Sequence, residues 1–159
     1  MWDSPSRDAF GSMPLGNGQI GVNAWVEPSG HLVFYIGRTD SWGDNGRLLK
    51  LGRVRISLSP SPSTEKQFEQ RLSLKDATLV ARWGGQDDKV TLRLWVDANH
   101  PVIHVTVESR RPTAATAAIE LWRVRRHELS ALEVSDVMWD YSRPENKHAL
   151  TFVEPDTLL

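Results

Sequence analysis

Val90-Thr91-Leu92-Arg93-Leu94-Trp95-Val96 decides the fold class, because its aliphatic residues fall on every second position. Successive side chains of an extended chain point to opposite faces, so positions 90, 92, 94 and 96 make one apolar face. Val54-Arg55-Ile56-Ser57-Leu58-Ser59 repeats the pattern. Strand-like runs recur at 20–26, 68–74, 78–83, 102–107 and 117–122. The breaks between them are short and rich in turn residues: Pro28-Ser29-Gly30, Lys75-Asp76-Ala77, 84–88 and 97–101. Half-buried strands at such spacing predict an all-β fold, an antiparallel β-sandwich.

Working outward, Ser59-Pro60-Ser61-Pro62-Ser63 reads as a loop inside one domain, since proline cannot sit in a central strand. Only Arg126 to Glu133 could hold a short helix, and Ser135 to Lys147 has no sustained periodicity. Leu150 onward begins as a strand, and no internal repeat is present.

The chain has 159 residues, which suits one domain. A formal net charge of -1 leaves no electrostatic footprint for nucleic acid or an anionic membrane. No apolar run is long enough for a transmembrane helix. Cysteine is absent, which removes disulfides and thiolate metal sites. A P-loop, a dinucleotide fingerprint, an EF-hand loop and a nucleophile elbow are likewise missing from the sequence, and no cofactor is expected. The clusters Arg110-Arg111 and Arg123-Val124-Arg125-Arg126 read as solvated turns or an interdomain surface.

Tryptophan is abundant, seven against two tyrosines and four phenylalanines. Trp25, Trp83, Trp95 and Trp122 lie in strand-like runs and read as core anchors. Trp42 follows the turn-prone Thr39-Asp40-Ser41 and precedes Gly43-Asp44-Asn45-Gly46, a setting that suits stacking on a sugar face.

Residues 12–21 read Ser-Met-Pro-Leu-Gly-Asn-Gly-Gln-Ile-Gly, a turn shaped by Pro14 and by the tolerance of Gly16, Asn17 and Gly18 for positive φ. After the next strand comes Leu32-Val33-Phe34-Tyr35-Ile36-Gly37-Arg38-Thr39-Asp40-Ser41-Trp42. The pairing resembles the N-terminus of family 95 glycoside hydrolases, the α-L-fucosidases and their relatives. Trp95-Val96-Asp97-Ala98-Asn99-His100-Pro101 adds to the likeness. It runs from Trp2 to about Trp122. Gly37-Arg38-Thr39-Asp40-Ser41-Trp42 keeps an acid, a Thr and the Trp of the fucosidase pattern in a different order, which leaves carbohydrate as the substrate class.

The resemblance implies a supersandwich-like N-terminal domain over residues 1–159, shorter than is usual and truncated. It implies a bacterial enzyme whose catalytic (α/α)6 barrel lies elsewhere. It also implies a secreted or periplasmic full-length protein and an inactive isolated chain. Asn17, Thr39, Asp40 and Trp42 are the substrate-binding candidates, and no residue is assigned to catalysis. Asp40 would accept hydrogen bonds from sugar hydroxyls at a cleft rim rather than act as general acid. The plainer reading of Asp40 and Asp44 is that both form turns.

Asp97, His100 and His104 could share a metal, but zinc needs three or four convergent ligands and the spacing specifies no further one. Asp97 and Asn99 bonding their own backbone is the simpler expectation. Two functions follow. One is a non-catalytic sandwich that supports a glycosidase barrel and lines its cleft; it predicts an uncovered apolar face with Asp40 and Trp42 at the edge. The other is a self-standing carbohydrate-binding module, which predicts coplanar exposed aromatics. A purely structural domain is the third reading.

Overall fold

The alternating runs form strands whose apolar positions face each other across two sheets. The computed structural model describes residues 1–42, 48–129 and 152–155. A short 3-10 turn at Ala9–Gly11 precedes β1 (Met13–Gly16), β2 (Ile20–Val26), β3 (Leu32–Trp42) and β4 (Leu48–Ser59). Then come β5 (Phe68–Ser73), β6 (Thr78–Trp83), β7 (Val90–Val96), β8 (Ile103–Ser109) and β9 (Ala114–Glu120). Two short segments, β10 (His127–Glu128) and β11 (Phe152–Val153), pair with one another.

One sheet has the order β1-β2-β3-β4-β9 and the other β5-β6-β7-β8, with every pairing antiparallel. The chain therefore builds four strands, crosses to make the second sheet, and returns as β9 beside β4. It is an antiparallel β-sandwich. Inward positions of β2 (Ile20, Val22, Ala24, Val26) and β3 (Leu32, Phe34) meet those of β6 (Leu79, Ala81, Trp83) and β7 (Val90, Leu92, Leu94, Val96) in one apolar core. Fully burying a Leu or Val of this kind contributes about 1.5–3 kcal/mol.

Gln70 occupies an inward position of β5, opposite Ala81. Its Oε1 accepts from the Val26 N–H at 3.0 Å, which ties the second sheet to the end of β2. Trp2 pairs with the same residue from outside, through Trp2 N–H to the Gln70 carbonyl (2.7 Å) and the reverse (2.8 Å). The β2–β3 turn needs Gly30, whose φ is +76° and whose missing side chain leaves room for Ser61 and the Trp83 indole.

Several expectations change. Residues 12–21 are not turn alone, because Met13–Gly16 already pairs with β2. The stretch 126–133, which could have held a short helix, forms β10 in its described part, with backbone partners in the distant Phe152–Val153. Trp25 and Trp83 are buried, but Trp95 is only half-buried and Trp122, beyond the end of β9, is exposed. Val90, Leu92, Leu94 and Val96 take the inward positions of β7, so the pleat itself turns Trp95 outward. Asp44, Trp139 and the irregular stretch 135–147 lie outside the described residues.

Candidate functional site: a glycine-floored groove

Antiparallel register brings three glycines into one row across neighbouring strands. Gly16 pairs with Gly21, Gly21 with Gly37, and Gly37 with Lys50. The next row on the same face is Pro14, Asn23, Tyr35 and Arg53. Three residues without side chains leave a trough of bare backbone, and a groove of about 520 Å³ lies over it. Its lining is mainly apolar and includes Pro14, Leu15, Tyr35, Ile36 and Leu49, with Lys50 and Thr39 contributing polar groups. That size falls within the range of small-molecule sites.

The rim follows from an irregularity in β3. Pairing with β4 shifts at Gly37 and resumes only at Trp42 opposite Leu48, so 38–41 leave the regular ladder. Local bonds hold this stretch instead. Ser41 Oγ donates to the Arg38 carbonyl (2.6 Å) and accepts from its N–H (3.1 Å). The Trp42 indole N–H donates to the Thr39 carbonyl (2.9 Å), and the Thr39 N–H donates to the Gln19 carbonyl (3.1 Å). Trp42 is about half exposed, at 53%. Asp40 is an exposed carboxylate paired with Arg38 Nη2 at 2.8 Å. Of Thr39, Asp40 and Trp42, the first lies in the groove lining, while Asp40 and Trp42 follow it in β3 and are not lining residues.

Asn17, in the β1–β2 turn beside Gln19, is held differently. Its Oδ1 accepts from the N–H groups of Gln19 and Ile20, each at 2.9 Å. Its Nδ2 donates to the carbonyls of Asp97 (2.7 Å) and His100 (3.0 Å). These bonds use both lone pairs and both hydrogens of the amide. Asn17 therefore clamps the 97–100 loop, and nothing of its amide is left for a ligand.

That loop has its own order. Asp97 Oδ1 accepts from the N–H groups of Asn99 (2.9 Å) and His100 (3.0 Å), and lies 3.0 Å from His100 Nδ1. Its Oδ2 lies 3.6 Å from His104 Nε2, and the His104 ring stacks on Trp95 with centroids 4.8 Å apart. The Asn99 N–H first, then His100, hold the Asp97 carboxyl below its ordinary pKa. Among the described residues no group of three His, Asp or Glu converges on a point that could hold a metal.

The face beside the groove carries an aromatic and ionic ladder that the sequence reading did not single out. Tyr35 meets Trp25 (5.2 Å) and Trp122 (5.4 Å) edge to face, and Lys50 Nζ sits 4.8 Å above the Tyr35 ring. Arg55 bridges Glu27 and Glu120, and Glu120 also binds Arg53. Hydrogen bonding from Arg55, then from Arg53, lowers the Glu120 pKa. The bond to Glu27 is the main cause that raises the pKa of Arg55. The glycine row was visible in sequence only as isolated glycines; pairing register is what aligns them.

Fold and site together define a β-sandwich that presents an apolar, glycine-floored groove on one sheet. The chain belongs to the family described as a domain of unknown function (DUF5703), which matches residues 1–155. No curated protein and no solved structure matches it.

Proposed function

We propose that this chain is the non-catalytic sandwich domain of a carbohydrate-active glycoside hydrolase. It lines part of the saccharide cleft and supports a catalytic domain supplied by another stretch of polypeptide. The observation that carries the reading is the apolar groove with Thr39 in its wall and the Trp42 indole N–H bonded to the Thr39 carbonyl. An uncovered apolar face rimmed by polar groups suits a partner surface and a ligand cleft together.

The test is a titration of the isotope-labelled chain with neutral oligosaccharides, followed by amide and indole resonances. Shifts at Thr39, Gly21, Gly37 and the Trp42 indole are expected, with no hydrolysis of aryl glycosides, α-L-fucosides included. Turnover by the chain alone would refute the non-catalytic role. Silence of those resonances across all sugars would refute the cleft.

A further inference from the structure

The glycine row holds a question that internal packing does not answer. Glycine inside a strand weakens it, and where it persists it marks a bulge, a bend or the close approach of something to the backbone. Gly16 has an internal reason: an added Cβ would lie 2.9 Å from the Ile20 carbonyl oxygen. Gly21 and Gly37 have none of that kind. A Cβ on Gly21 would meet only the Leu15 carbonyl oxygen at 3.8 Å, and one on Gly37 would meet nothing within 4 Å. Neither has a positive φ. Gly37 does sit at the register shift of β3, but Gly21 lies in the unbroken ladder of β2. Their bare backbone faces the groove, so the room they leave is room for an occupant.

Charge says which occupant. The carboxylates on this sheet and on the turn after β2 are Glu27, Asp40 and Glu120, and each is bound to an arginine. Arg38, Arg53 and Arg55 are neutralised in the same pairs. Lys50 ends the glycine row and has no carboxylate partner among the described residues. Its ammonium lies over Tyr35 at the groove wall, exposed to solvent.

We propose that the trough seats a uronic acid unit of a polysaccharide, its apolar ring face on the Gly21–Gly37 backbone beside Tyr35, its carboxylate on Lys50 Nζ. The carboxylate of a uronic acid lies near the edge of the ring. A ring laid flat on the floor therefore presents it level with the row that Lys50 ends. This deepens the saccharide reading above and rests on it.

Calorimetric titration of the chain with digalacturonate, neutral galactobiose and galactobiose 6-sulfate tests the assignment. At low salt digalacturonate should bind about tenfold tighter than galactobiose, the gain of one charge-assisted contact. The preference should shrink as salt rises and vanish in Lys50→Gln. Gly21→Ala should weaken both sugars while circular dichroism and the thermal midpoint show an intact fold. Equal binding of digalacturonate and galactobiose overturns the acidic ligand and leaves the saccharide cleft standing. Stronger binding of the sulfate overturns the carboxylate. A preference that survives Lys50→Gln overturns the role of Lys50, and binding unchanged in Gly21→Ala overturns the seat. No binding of any of the three overturns both readings.

Discussion

The Asn17 side-chain amide donates to the Asp97 carbonyl at 2.7 Å, across 80 residues of chain. The first hairpin of one sheet and the β7–β8 loop of the other are thereby fastened at one end of the sandwich. Asn17→Ala removes four hydrogen bonds, two within its own turn and two to the loop. At about 0.5–1.5 kcal/mol each, partly offset by water at this half-exposed site, the loss should be about 2–3 kcal/mol in urea denaturation. Asn17→Asp keeps the turn acceptors and removes both donors, so the fold should weaken through the loop contact alone. A neutral result for Asn17→Asp would show that the clamp carries no stability.

Asp97 makes that loop sensitive to acid. Its folded-state pKa lies below the ordinary carboxylate value, chiefly through the Asn99 N–H and then through His100. A group of this kind contributes stability that is complete above its unfolded pKa and disappears as pH falls through the lower folded value. Glu120 behaves in the same sense because of Arg55 and Arg53. Urea midpoints should therefore fall below about pH 4. Asp97→Asn should flatten part of that slope and lower the midpoint near neutrality, where the carboxylate's contribution is complete. A slope identical to the parent protein would remove Asp97 from the account.

The strands were legible because burial on one face writes itself as a period of two. The runs at 20–26, 78–83 and 90–96 match β2, β6 and β7 residue for residue. Thr39, Asp40 and Trp42 stand together in the sequence, and bonds three residues long or less hold the stretch 38–42. Asn17 could be singled out but its use could not, since its partners are fixed by how two sheets stack. The glycine row and the placing of Lys50 at its end needed strand register, which a single sequence does not state. Trp122 misled because an aromatic at the end of an alternating run is a core anchor only if a facing layer extends that far. Here it leans on Tyr35 from outside the main core.

Arg55 is the keystone of the ionic ladder, serving Glu27 and Glu120 with 21% of its side chain exposed. Arg55→Met leaves Glu27 without its cation, while Glu120 keeps Arg53. The cost should be about 2 kcal/mol, less than for a fully buried pair because water still reaches the site. Adding Glu27→Gln should recover part of the loss, so the two changes should be non-additive in a double-mutant cycle. Simple additivity would mean that the Arg55–Glu27 contact contributes nothing beyond its separate side chains.

Gly21→Ala separates what the fold wants from what the groove wants. Gly21 lies mid-strand in β2 with ordinary φ, and a methyl group there would find open space apart from the Leu15 carbonyl oxygen at 3.8 Å. Alanine limits the unfolded chain more than glycine does, so the variant should be about 0.5–1 kcal/mol more stable. The same methyl group stands on the floor of the groove, beside Gly16 and Gly37. Stability by urea denaturation should rise as saccharide affinity falls, and that opposition is the signature of a residue kept small for a ligand. A variant that loses stability would place the reason for Gly21 inside the sandwich instead.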